Sequence, residues 1–252
     1  MKIKKKRTIL LIAFLYLGFL VITMPAEVAY AFVKKSVAPD APFTLQGISG
    51  SVWSGKAVTA VISGQRVNSL SWNIQPWAIL LGRMQAQLDF RDGDSFGSGN
   101  VARGFGGALY LSDIDARIAL EKITVLSKLP MGLQGAVGLN LAQLEIDDQM
   151  LTEAEGTIAW QSAGFSFPSQ VNLGDLKLTL ATQNNQINAN LVDGGGPLQA
   201  EGVLTIKQDG KYKFTGTFAA RDKTQTALSQ NLRLLGRSGA DGKVKVNKSG
   251  VI

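Results

Sequence analysis

From Phe43 to the C-terminus, apolar and polar residues alternate with a period of two in short runs. The clearest are Leu70-Ser71-Trp72-Asn73-Ile74, Ala86-Gln87-Leu88-Asp89-Phe90, Leu176-Lys177-Leu178-Thr179-Leu180 and Ile187-Asn188-Ala189-Asn190-Leu191, followed by Val203-Leu204-Thr205-Ile206 and Tyr212-Lys213-Phe214-Thr215. A period of two places every second side chain on one side of a strand, so this pattern predicts a sheet with one buried face. Asp92-Gly93, Asn184-Asn185, Gly194-Gly195-Gly196-Pro197 and Asp209-Gly210 fall between the runs and read as reversals, which makes consecutive strands antiparallel. Two stretches change period. Ile118, Ile123, Leu126 and Leu129 are spaced like one helical face ended by Pro130, and Leu228, Leu232 and Leu235 repeat this between a Thr224 cap and Gly236.

The N-terminus follows another rule. Residues 8–26 carry no charge, and Ile9 to Ile22 is apolar all round. At about 1.5 Å per residue the run would measure about 28 Å, close to a bilayer's hydrocarbon thickness, so the expectation is a transmembrane anchor. Lys2, Lys4, Lys5, Lys6 and Arg7 precede it and would hold the N-terminus on the cytoplasmic side. A cleaved export signal ending at Ala29-Tyr30-Ala31 is the rival reading; the apolar run exceeds an ordinary signal core, and Pro25-Ala26-Glu27-Val28 leaves the apolar phase before the cleavage point. The expected organisation is a basic tip and anchor over 1–33, a connector over 34–42 containing Pro39 and Pro42, and a β-rich domain over 43–252.

Charge and composition then remove chemistry. The formal net charge is +7, but five of the 26 cations lie in the basic tip, and the remaining twenty-one face 19 anions. A nucleic-acid binder concentrates cations on its folded domain, so none is expected as a partner here. The chain has no His and no Cys, which excludes imidazole acid–base catalysis, thiolate nucleophiles and Cys/His zinc sites. Gly97-Ser98-Gly99-Asn100-Val101-Ala102-Arg103-Gly104 has neither dinucleotide nor Walker spacing and reads as a flexible strand connection. Asp92-Gly93-Asp94-Ser95 lacks the other ligands of a calcium loop and reads as a turn. Asp113, Asp115, Glu145, Asp147 and Asp148 would need to converge in a cleft to act as a hydrolytic pair, and nothing in their spacing makes them do so. No enzyme activity and no cofactor are expected.

The tryptophans carry more information. Trp53 lies in Gly47-Ile48-Ser49-Gly50-Ser51-Val52-Trp53-Ser54-Gly55, and Glu155-Gly156-Thr157-Ile158-Ala159-Trp160 echoes it about a hundred residues later, as a loose duplication would. Trp72 to Trp77 reads as a strand stopped by Pro76.

The motif Gly50-Ser51-Val52-Trp53-Ser54-Gly55-Lys56-Ala57, then Leu70-Ser71-Trp72 with Pro76 and Leu80, then Gly196-Pro197-Leu198, Leu228, Leu235-Gly236 and Asp241-Gly242-Lys243, resembles the type II secretion system protein N family along nearly the whole chain. That resemblance implies an accessory component of the general secretion pathway. It would sit in the cell inner membrane as a single-pass protein with its bulk in the periplasm, and it would assist assembly through contacts with other secretion proteins. It brings no catalytic residues. The family is also similar to AsmA-like periplasmic β proteins, which implies a long, curved, mainly antiparallel sheet with one or two short helices. The same similarity implies a second reading, a lipid-binding module with an apolar sheet groove.

Overall fold

A computed structural model of the chain describes residues 2–37, 43–123, 126, 132–166, 169–222, 224–236, 238–239 and 241–251, with the side chains of 2–10, Leu17 and Val37 left out. The polypeptide opens with helix α1 (Lys2–Thr23), the short helix α2 (Ala26–Phe32) and a π turn over Val33–Val37. The break between the helices is set by Pro25, whose ring disfavours helical backbone at Met24; Pro25 itself is extended at φ −64° and ψ 137°.

Fourteen strands follow: β1 (Phe43–Gln46), β2 (Ser49–Gly50), β3 (Ser54–Ile62), β4 (Gln65–Ile74), β5 (Arg83–Asp92), β6 (Ser95–Gly104) and β7 (Leu109–Ala119), then β8 (Leu133–Asp147), β9 (Met150–Phe165), β10 (Val171–Gln183), β11 (Gln186–Asp193), β12 (Leu198–Lys207), β13 (Lys211–Ala220) and β14 (Val244–Val251). All belong to one antiparallel sheet, ordered β1, β3, β4 and onward to β14, with β2 beside β3. From β3 on, each strand pairs with the next in sequence, as hairpin connections require. Helix α3 (Thr226–Leu235) lies between β13 and β14 in sequence and packs against β10, β13 and β14.

Register carries the alternation into one continuous apolar face. Trp72 stands opposite Leu88, Leu88 opposite Gly99, and Ile114, packed over Gly99, opposite Leu141. The row continues through Leu139 with Ile158, Ile158 with Leu178, Leu178 with Leu191, and Ala189 with Leu204, which faces Phe214. The other face is polar, as in Asn73 with Gln87 and Asn100, and Thr157 with Asn140, Thr179 and, beyond it, Asn190. Two clusters mark the core: Val171, Leu198, Ala200 and Val244 beneath Leu228 and Leu232 of α3, and Leu141, Ala154, Leu180, Ile187 and Ala189 on the open sheet.

The expected turns all form. Asn184 and Asn185 both adopt positive φ (52° and 59°), and Gly210 reaches 76° in the hairpin after β12. Several expectations are corrected. Ile118 belongs to β7, not to a helix; a 3-10 turn over Leu120–Lys122 follows and Leu126 is helical, whereas residues 124–125 and 127–131, with Leu129 and Pro130 among them, lie outside the described residues. The second helix starts at Thr226, with Gln225 rather than Thr224 at its cap position, and Gly236 closes it in an extended conformation (φ 169°). The Gly97–Gly104 stretch is most of strand β6: a Cβ on Gly97 would meet the Phe90 ring at 2.3 Å, so glycine lets that ring lie across the strand. The echo of Trp53 in Trp160 is not a structural repeat, since Trp53 sits before β3 and Trp160 within β9.

The anchor and the curved sheet are corrected too. Among the described residues no helix is long and apolar enough to cross a membrane, which overturns the transmembrane helix and the single-pass inner-membrane topology built on it. The uncharged run over 8–26 is not one continuous helix, because α1 stops at Thr23 and Ala26 begins α2. Lys2, Lys4, Lys5, Lys6 and Arg7, as side chains, lie outside the described residues, as do residues 38–42 of the connector. The sheet is open, neither closed nor strongly curled: its path ends at β1 on one side and β14 on the other.

Candidate interaction surfaces

The first surface forms where the N-terminal helices meet the sheet. Helix C-termini leave carbonyls without intrahelical partners. Here the Trp53 indole Nε1–H donates to Val21 O at 2.9 Å, and the Val52 N–H donates to Met24 O at 3.0 Å. Trp72 holds the clamp from below, its Nε1–H donating to Val52 O at 3.0 Å. The flanking glycines are steric requirements. Gly50 has φ +91°, and a Cβ there would stand 2.6 Å from Ser54 O; a Cβ on Gly55 would meet the Trp72 ring at 2.4 Å. Pro76 opens a 3-10 helix, Pro76–Leu81, at the end of β4.

Helix α2 then shields the edge strand. The Leu45 N–H, on β1, donates to the Tyr30 hydroxyl at 3.1 Å, the Tyr30 and Phe43 rings lie 6.1 Å apart, and Lys34 Nζ sits 5.4 Å from the Phe43 ring centre. Covering an edge donor in this way removes a template for unwanted strand pairing. A small apolar recess of about 190 Å³ remains between Tyr30, Val33, Leu45, Ile48 and Trp72.

The second surface surrounds α3. Its Leu228 and Leu232 are buried against the apolar face, while Leu234 and Leu235 point outward. A polar knot fixes the chain on the way into this helix. Asp193 accepts the Gly195 and Ala200 N–H groups, each at 2.9 Å, and pairs with the Arg221 guanidinium. Arg221 also donates through Nε to Gly196 O at 2.9 Å, and its N–H to Pro197 O at 2.9 Å. Burial pushes the Asp193 carboxyl up, but the Ala200 and Gly195 amides and Arg221 outweigh it, so it titrates below its usual range. Gly196 is glycine because its Cβ would stand 2.6 Å from Gly174 Cα. Asp241 accepts the Lys243 N–H at 3.1 Å and Gly242 takes φ +78°, forming the turn into β14. A broad cleft of about 960 Å³ opens between α3 and this turn.

The carboxylates singled out for acid–base chemistry lie on β7, β8 and the reversal after it. Asp113 and Asp115 are exposed on β7, Glu145 is half-buried on β8, and Asp147 and Asp148 are exposed at the β8–β9 reversal. Asp92 bonds Asn68 and pairs with Lys122, as part of a turn. Among the described residues no group of three acidic side chains could hold a metal ion. Sequence reading singled out Trp53 and Trp72 but missed Val21, Met24 and Tyr30, and it gave Asp193 and Arg221 no role. No local pattern marks Arg221, since its partner is 28 residues away.

Comparison with known proteins supplies the rest. The profile of the type II secretion system protein N family matches residues 41–247. The chain belongs to that family. It is 26% identical over 243 residues to the type II secretion system protein N of Aeromonas hydrophila, covering 94% of each chain. The protein of that name in Vibrio cholerae serotype O1 is 25% identical, across 91% of this chain and 92% of its own. That of Pectobacterium carotovorum is 22% identical, across 89% and 90%. No solved structure matches. Every motif residue named for the resemblance from Gly50 to Gly242 falls inside the matched span.

Proposed function

We propose that this chain is a non-catalytic accessory component of the type II secretion system, acting by protein–protein contacts in assembly or support of the export machine. The observation that carries the reading is the family match over residues 41–247. The fold is consistent with it: a wide sheet that exposes both a polar and an apolar face offers binding area, whereas its carboxylates are scattered. The motif residues Gly50, Trp53, Gly55, Trp72, Pro76, Gly196, Pro197, Gly236, Asp241 and Gly242 then act as builders of the surface, by clamping α1 and setting the turns around α3.

The test is capture of the tagged full chain from cells producing the secretion machine, with deletion of its gene in parallel. Secretion-system subunits are expected to co-purify, and deletion to reduce exoprotein release. Failure of both would refute the role. A second reading, binding of acyl chains, is favoured by the apolar face that runs from Trp72 to Phe214 and is covered by α3 only near β10, β13 and β14. Recovery of stoichiometric lipid without secretion proteins would select it.

A further inference from the structure

The loops at one end of the sheet carry an apolar tip that neither the clamp nor the sheet face explains. The 3-10 helix Pro76–Leu81 between β4 and β5 exposes Trp77 (54%), Ile79, Leu80 (89%) and Leu81, with Met84 beside them on β5. The β6–β7 loop brings Phe105, 69% exposed, to the same place: its N–H donates to Gly82 O at 3.0 Å, and Arg83 and Met84 pair in register with Gly104 and Arg103. Both loops are built rather than loose. Ala78 is fully buried beneath the 3-10 turn, Gly82 closes it with left-handed backbone at φ 74°, and Gly107 N–H donates to Gly104 O at 3.0 Å.

An exposed cluster of this kind needs a partner. Three features choose among partners. The side chains project from two adjoining loop tips rather than lining a groove, which suits a deformable apolar medium more than a shaped protein pocket. Segments 75–84 and 103–109 contain no acidic residue, while Arg83 and the exposed Arg103 flank the tip, so its charge complements anionic headgroups. The C-terminus of α1 arrives at this same end: Trp53, which holds Val21 O, accepts the Ile74 N–H at 2.6 Å just before the loop, and α1 presents exposed Phe19 and Ile22.

We infer that the Trp77–Leu81 turn and Phe105 form a docking tip for an anionic lipid surface, inserting their side chains to the headgroup and acyl boundary while Arg83 and Arg103 meet phosphates. The inference does not rest on the secretion role and survives or fails separately from it.

Because the chain has no cysteine, a single reporter thiol can be placed anywhere. Full-length Leu80→Cys and Phe105→Cys, with Ser63→Cys at the opposite end of the sheet as control, would carry an environment-sensitive fluorophore. They would be mixed with phosphatidylcholine vesicles with or without phosphatidylglycerol, and circular dichroism would verify their fold. The expected result is a blue shift at 80 and 105, larger with phosphatidylglycerol, quenched by nitroxide lipid and absent at 63. Unshifted emission at both tip positions overturns the inference, even when the protein floats with the vesicles, because lipid is then met elsewhere. A shift that tracks protein concentration without lipid also overturns it, assigning the tip to a second copy.

Discussion

The tryptophan clamp makes a demand that one methyl group can test. In Gly55→Ala the new Cβ would lie 2.4 Å from Trp72 Cζ2, 2.9 Å from Trp72 Cε2 and 2.9 Å from Ser49 O. Ordinary carbon contacts are about 3.5–4.0 Å, so the ring must retreat by about 1 Å or more. It has little room to do so, because its Nε1–H is spent on Val52 O at 3.0 Å, and the same residue supplies the N–H that holds Met24 O. Overpacking of this kind costs about 1–3 kcal/mol, and losing the indole hydrogen bond adds about 1 kcal/mol. The total of about 2–4 kcal/mol would be read as a lowered urea midpoint with unchanged slope. Trp72→Leu removes the clashing ring atoms at its own cost and leaves the approach to Ser49 O, so Gly55→Ala added to it should cost clearly less than it does alone. The cycle therefore predicts a coupling of at least about 1 kcal/mol. If the two substitutions simply add, Gly55 is not glycine on account of the Trp72 ring, and the account of the motif is wrong.

Three further outcomes follow from the other contacts. Trp53→Phe keeps the ring but deletes the donor to Val21 O, so stability should fall by about 0.5–1.5 kcal/mol and exchange of the Val52 amide should quicken, as hydrogen exchange would measure. Leu228→Ala and Leu232→Ala should each cost about 2–5 kcal/mol and raise binding of an apolar dye, since both side chains are buried between α3 and the apolar face. The Asp193 carboxylate has its folded pKa lowered, so its contribution is present above the unfolded value of about 3.9 and is lost as pH falls through the folded one; in Asp193→Asn that part of the acid destabilisation should vanish from urea midpoints taken across this range.

Much of the sheet was legible in the sequence because it is built from hairpins. A period of two and a two-residue turn are both local signals, so Ile206, Asp209-Gly210 and Tyr212 fix β12, the reversal and β13 without reference to the rest of the molecule. The failures share one cause, which is long-range context. Ile118 through Leu129 has helical spacing, yet Ile118 pairs with Val137 on β8, and that strand partner decided its conformation. Gly97 and Gly99 read as looseness because the Phe90 and Ile114 side chains that press on them come from neighbouring strands. The site shows the same division. Trp53 and the glycines around it were conspicuous as a motif, whereas the carbonyl that Trp53 caps lies 32 residues earlier in a helix that reads only as apolar.

A sheet of this kind is stable in a way that bears on function. With each strand from β3 on bonded to the next in sequence and helices packed at particular places, stability is close to a sum of neighbour terms, as in repeat proteins. Interior strands are held on both sides; the two terminal strands are held on one. The N-terminal edge is compensated by α2, through Tyr30 on the Leu45 amide. Among the described residues, strand β14 has the single bridge from Ser238 to Val244 on its outer side, with Lys245 and Lys248 along it. Charged side chains on an edge oppose indiscriminate pairing without closing it to an acidic extended segment. Recognition is thereby separated from the fold's support: α2, the clamp and the Asp193 knot hold the ends, which leaves the central strands to present a polar face and an apolar one.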